Sequence, residues 1–126
     1  MANLPEKSDL LGIVGPCSAG KSTLIKQLDA EGYICRHIAQ EHSYVPDMWQ
    51  RIVNPRILVY LDVSYEVSMQ RRQLNLTSKE FEEQLRRLSH ARQNAQIYVN
   101  TDPLSPAEVL HVVNDGLADL DPGGEY

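Results

Sequence analysis

The stretch Leu10–Gly32, LLGIVGPCSAGKSTLIKQLDAEG, decides the fold. Leu10, Leu11, Ile13 and Val14 form a short apolar run suited to a buried strand. The next eight residues, Gly15, Pro16, Cys17, Ser18, Ala19, Gly20, Lys21 and Ser22, satisfy every fixed position of the pattern G-x-x-x-x-G-K-[ST]. Leu24, Ile25 and Leu28 then recur at helical spacing, and Gly32 stands where a helix ends. The stretch therefore reads as strand, glycine-rich turn and helix.

Each residue type in that turn suits an anion. Gly15 and Gly20 let the backbone turn tightly and come close to a ligand, where a Cβ would intrude. The N–H groups of the turn and the positive end of the following helix face the same point. Lys21, read as an exposed and mobile point charge, serves the outer phosphates, and the Ser22 hydroxyl is a ligand for magnesium. Thr23 is placed to touch an inner phosphate. The four fixed letters arise by chance in roughly one chain in a few hundred of this length. With a strand before them and a helix after, they define a nucleotide-phosphate site over Gly15–Thr23.

Composition narrows the alternatives. The 126 residues, 42% of them hydrophobic and 23% charged, fit one soluble domain spanning 1–126, with residues 1–9 and 121–126 as flexible ends. The apolar runs are too short for a membrane span, and MANLPEKSDL lacks the apolar core of a secretory signal, so the expected location is cytoplasmic. A net charge of −5 argues against DNA or RNA as the partner. Cys17 and Cys35 make neither a disulfide framework nor a metal motif. Cys17 is either a small filler of the turn or a thiolate favoured by the helix start and open to oxidation.

The rest of the chain alternates between strands and helices. Tyr33–Ala39 suits a second strand. Gln40–Pro55 is a connector in which Pro46-Asp47 starts a short helix carrying Met48, Trp49, Ile52 and Val53. Glu41 and His42 follow the second strand and are either a base or acceptor ligand at its end, or plain connector residues. Trp49 is either a core plug over the sheet or a contact anchor for a partner. Ile57–Asp62 is a strand of five apolar residues closed by a carboxylate. Ser64 caps a helix to about Gln73, and Thr77 with Glu80 forms a capping box opening a long helix with Phe81, Leu85, Leu88 and Ala95 on its apolar face. Ile97–Val99 is a short strand. Ser105, Pro106 and Glu108 open a last helix with Leu110, Val113, Leu117 and Leu120 as its buried stripe. This alternation predicts an α/β fold with a small parallel sheet of about four strands and helices on both faces.

With these pieces placed, the chain resembles the P-loop kinases, the group that includes adenylate, thymidylate and shikimate kinases. GPCSAGKST at 15–23 carries most of the likeness, followed by VYLDVSYEVSMQRR at 59–72 and IYVNTDPLSPAEVLHVV at 97–113. The resemblance implies a fold of the P-loop NTPase type, binding ATP or another nucleoside triphosphate with Mg2+ through Gly15–Thr23. It implies Lys21, Arg71 and Arg72 as catalytic residues, the two arginines offsetting charge on the transferring group. Arg71 and Arg72 read equally well as solvated helix residues, and Arg86, Arg87 and Arg92 as the exposed face of the long helix. Asn100, Thr101 and Asp102 would border the base. The chain departs from the family between residues 40 and 56, which are too few for acceptor helices and a further strand. Either that strand is missing and Asp62 is a turn residue, or Ile57–Asp62 takes its place and Asp62 positions the metal with Ser22. Two functions follow: a minimal kinase or slow ATPase, or a non-catalytic nucleotide-binding module read by a protein partner or a second copy.

Overall fold

A computed structural model describes residues 9–72 and 75–120. Asp9 apart, the ends expected to be flexible lie outside the described residues, as does Gln73. Among the described residues, four strands form one all-parallel sheet in the order β2-β1-β3-β4, with β1 at Leu10–Val14, β2 at Ile34–His37, β3 at Ile57–Asp62 and β4 at Ile97–Asn100. The helices are α1 (Lys21–Ala30), α2 (Tyr65–Arg72), α3 (Ser78–Arg87), α4 (Ser89–Asn94) and α5 (Pro106–Leu120). No helix among these residues is long and apolar enough to cross a membrane.

β1 lies inside the sheet because its residues are apolar on both faces. Leu11 and Ile13 point to one side, Val14 to the other, and all three are buried. Its neighbours are set in parallel register, with Leu11 opposite Cys35 on β2 and opposite Ile57 on β3. β3 alternates in the same way. Ile57, Val59 and Leu61 join Leu24 and Leu28 of α1 and Val109, Val113 and Leu117 of α5 in one core. Leu58 and Tyr60 join Ile38, Trp49, Leu88 and Ala91 in the other. Helices thus cover both faces, as the alternation predicted.

β2 pairs directly with β1, and β3 pairs with the other side of β1, so no strand intervenes between β2 and β1. Residues 40–56 form a 3₁₀ turn at Gln40–His42 and a π-helical turn at Trp49–Val53. Trp49 is a core plug: it is 6% exposed, and its indole N–H donates to His90 Nδ1 at 3.0 Å.

The long helix expected after Thr77 is two helices that meet at Leu88. Phe81 and Leu88 are seven residues apart, which would align them on one stripe of a straight helix. They serve opposite faces of the sheet, Phe81 beside Tyr65 in the first core and Leu88 in the second. The chain bends between them to reach both. Leu85, expected on the apolar face, is 38% exposed, and Gln84 is buried in its stead. In α5 the buried stripe is Val109, Val113 and Leu117, with Leu110 and Leu120 at its margin.

Both capping boxes form. Thr77 N–H donates to Glu80 Oε1 at 2.9 Å while Glu80 N–H donates to Thr77 Oγ1 at 3.1 Å. Ser105 and Glu108 repeat this at 2.8 and 3.2 Å. Each carboxyl is held below the usual glutamate value, chiefly by the backbone N–H it accepts and then by the capping side chain. A depressed folded-state value adds stability that is complete above the unfolded value of about 4.3 and is lost as pH falls through the folded one. Glu80→Gln/Glu108→Gln keeps neutral boxes without that titration. Its urea midpoint is expected to fall below the parent's at pH 7, and the gap to narrow as pH falls below about 4.3. Equal midpoints above and below that pH would remove the carboxylates from the acid response.

Candidate functional site

Val14 delivers the chain into the Gly15–Gly20 loop, and Gly20 stands at the start of α1 with φ 97°, without a side chain to cap the helix. The first N–H groups of α1 thus keep their donor capacity toward the space in front of them. That space is a cavity of about 800 Å³, lined by Cys17–Leu24, His37, Glu41, His42, Arg71, Arg72, Thr101 and the start of α5. Its size suits a small-molecule ligand. Of the residues assigned to the phosphate site from sequence, Cys17, Ser18, Ala19, Gly20, Lys21, Ser22 and Thr23 line it. Gly15 and Pro16 lie behind, where their carbonyls accept from Lys21 Nζ.

Two helices, α2 and α3, hold the loop through three side chains. Cys17 N–H donates to Gln84 Oε1 at 3.1 Å, and Gln84 Nε2 donates to Cys17 Sγ at 3.2 Å. Ser68 Oγ donates to the Cys17 carbonyl at 3.2 Å. Arg71 donates to the Ser18 carbonyl at 3.0 Å and to the Oγ1 and carbonyl of Thr101 at 3.0 and 2.6 Å. Arg71, although exposed, is therefore tied to the loop and to the end of β4. Arg72, beside it, lines the cavity as an exposed side chain. Cys17 is more than a filler, since Gln84 holds both its amide and its sulfur.

Lys21 is not the exposed charge expected. It is 7% exposed and its Nζ lies 2.9 Å from Glu41 Oε2. Glu41 is 3% exposed, and its Oε1 has no hydrogen-bond partner among the described residues. Glu41 is held in place through Gln40, which is fully buried. Gln40 Nε2 donates to the Val45 carbonyl at 2.8 Å, and its Oε1 accepts Trp49 N–H at 2.8 Å. Arg87 also differs from its solvated reading. It donates to the Glu41 carbonyl at 3.3 Å and lies 4.4 Å over the Tyr44 ring. His37, at the end of β2, is lowered from its ordinary value by partial burial first and by the Lys21 charge second.

Asp62 is placed elsewhere. Its Oδ1 accepts Val63 N–H at 3.0 Å, its Oδ2 accepts the Tyr98 hydroxyl, and Arg92 Nη2 lies 4.0 Å away. It borders a second cavity with Ser64, Tyr98, Asn100 and Asp102, apart from Ser22. Of the two readings left open for Asp62, these contacts fit the turn residue rather than an acid that shares a metal with Ser22. β3 runs on the far side of β1 from β2, and Asp62 follows the open turn reading. Asn100 and Asp102 share that second cavity, and only Thr101 of the expected base-bordering residues faces the first. The acid that does face the Gly15–Gly20 loop is Glu41. Its sequence signal was its position just past a strand in a parallel sheet, where ligands gather.

No protein-family model matches the chain, and no curated protein matches it.

Proposed function

We propose that this chain binds a nucleoside triphosphate, ATP, with Mg2+ at the Gly15–Thr23 loop, and acts as a minimal kinase-like phosphotransferase or slow ATPase. One observation carries the reading: a glycine-rich loop, an uncapped helix start and Lys21 converge on a cavity that Arg71 and Arg72 also border. A phosphate chain fits that donor set. Lys21 would leave Glu41 for an outer phosphate oxygen and keep its flexible stem against the loop. Ser22 Oγ would hold Mg2+, which when bound offsets phosphate charge and polarises the transferring group. Arg72 is the mobile cation of the site, while Arg71 fixes the loop's shape through Ser18. Glu41, freed of Lys21, is a buried carboxylate facing the cavity and suits a base that takes a proton from the nucleophile.

The nucleophile that residues 40–56 leave room for is water. Those residues are spent on two turns and on Trp49, and they supply no acceptor domain to close over a second substrate. Titration with ATP and GTP, each with and without Mg2+, is expected to show Mg-dependent ATP binding. Phosphate release should run far below the ~1–100 s⁻¹ of kinases. Kinase-like turnover with a nucleoside monophosphate, a hydroxy acid or a sugar would show that the short connector still makes an acceptor site. Absence of ATP binding would end the proposal.

A second reading, a nucleotide-binding module read by a protein partner, is favoured by the same connector. Tyr44 is 83% exposed and Val45 46%, apolar surface next to the turn that holds Glu41. A change at Glu41 on nucleotide binding would pass directly into it.

A further inference from the structure

A cluster of metal-ligating side chains overlaps the proposed nucleotide site. Cys17 of the loop and Glu41 and His42 of the turn after β2 each offer a ligand atom, and these atoms lie within 4.8 Å of one another. We propose that Cys17, Glu41 and His42 form a Zn2+ site that competes with Lys21 for the Glu41 carboxylate.

The donor set selects the metal. Thiolate, imidazole and carboxylate together suit zinc, whereas magnesium and calcium require oxygen ligands throughout. Three protein ligands leave one position open toward the cavity, the arrangement of a zinc site that takes water or an exchangeable ligand. Glu41 supplies a second, independent sign. It is almost wholly buried, it lines the cavity, and its Oε1 has no hydrogen-bond partner among the described residues. A buried carboxylate oxygen without a donor is a costly arrangement that a cation relieves.

The geometry needs little movement. Zinc bonds of about 2.0–2.3 Å place ligand atoms about 3.3–3.8 Å apart, so the cluster has to contract by about 1 Å. His42 can supply that shift, because its side chain is 61% exposed and its Nε2 already lies 3.8 Å from Glu41 Oε2. Outer partners are also in place. Gln84 Nε2 donates to Cys17 Sγ, and Arg87 donates to the Glu41 carbonyl. Binding forms Zn–S, Zn–O and Zn–N bonds and releases the Cys17 thiol proton to solvent. Lys21 gives up Glu41 and retains the carbonyls of Gly15 and Pro16. The proposal does not depend on nucleotide binding, and its test contains no nucleotide.

Zn2+ is titrated into the full chain against a chromophoric chelator, and Co2+ is used as a spectroscopic probe. One ion per chain is expected. Cys17→Ser and His42→Ala should each weaken zinc by at least about tenfold. The thiolate-to-cobalt charge-transfer band should vanish in Cys17→Ser and persist in Cys35→Ser. Cys35 makes a sound control, since burial and then Asp29 push its thiol up to about 11. Lys21→Ala should tighten zinc by removing the competing cation, the opposite of its effect on ATP. His42→Ala removes an exposed side chain, so it reads the site without unfolding the chain. A cobalt band that survives Cys17→Ser, its absence from the parent, or unchanged zinc affinity in His42→Ala would overturn the assignment.

Discussion

In titration calorimetry, Lys21→Ala is expected to bind ATP with Mg2+ at least about tenfold more weakly than the parent. A hydrogen bond from an ammonium to a charged oxygen contributes about 1.5–3 kcal/mol, and each 1.4 is about a factor of ten. The same substitution is expected to destabilise the fold. Lys21 and Glu41 are both buried and 2.9 Å apart, so truncating the lysine strands a carboxylate in the core. Breaking a buried pair from one side costs about 3–5 kcal/mol, whereas replacing both partners by neutral groups is often nearly free. Lys21→Met/Glu41→Gln should therefore regain most of the stability and none of the affinity. Urea unfolding can follow this through Trp49, the one tryptophan of the chain, which is buried. If Lys21→Ala unfolds at the parent's midpoint, Glu41 does not depend on Lys21. If it binds ATP as tightly as the parent, the loop is not a phosphate site.

The strongest local signals were legible in the sequence. Leu10–Val14 and Ile57–Asp62 have the same bounds in the structure as in the pattern, and Leu24, Ile25 and Leu28 fall on one helix, because an apolar run or a helical repeat contains its own information. The two capping boxes were legible for the same reason, since their partners are three residues apart. What escaped depends on residues distant in sequence. Nothing near Glu41 announces that Lys21, twenty positions earlier, is its partner. Gln84 reads as one more polar residue on a charged helix, yet it holds the amide and sulfur of Cys17 across 67 positions. Leu85 carried the stronger apolar signal and is the more exposed of the two, because α3 turns its Gln84 face to the loop. Asp62 shows the same limit from the other side. A carboxylate at the end of a strand suggests a metal-site acid, but which side of β1 that strand occupies decides which cavity the carboxylate meets.

Gly15→Ala is expected to be the most damaging single-methyl change in the Gly15–Gly20 loop. A Cβ built on Gly15 would lie 2.1 Å from the carbonyl oxygen of Leu61, far inside contact distance. Leu61 cannot retreat. It is fully buried in β3, paired in register with Val99 of β4, while its neighbour Tyr60 pairs with Val14 of β1. The overlap must be relieved by moving the loop off the sheet or by parting the strands, and either disturbs both cores. Overpacking against movable side chains costs about 1–3 kcal/mol, and against a sheet backbone it should reach at least about 3. Gly20→Ala supplies the contrast. A Cβ there meets no atom within 4 Å, so its only cost is the left-handed backbone at φ 97°, about 1–2 kcal/mol. Urea midpoints should therefore rank parent, Gly20→Ala, then Gly15→Ala. In Gly20→Ala the loss should instead fall on ATP affinity, because the added methyl stands at the helix start where the phosphates would rest. A Gly15→Ala chain as stable as Gly20→Ala would mean that the loop does not sit against β3. The cradle facing the cavity would then have lost the wall that gives it its shape.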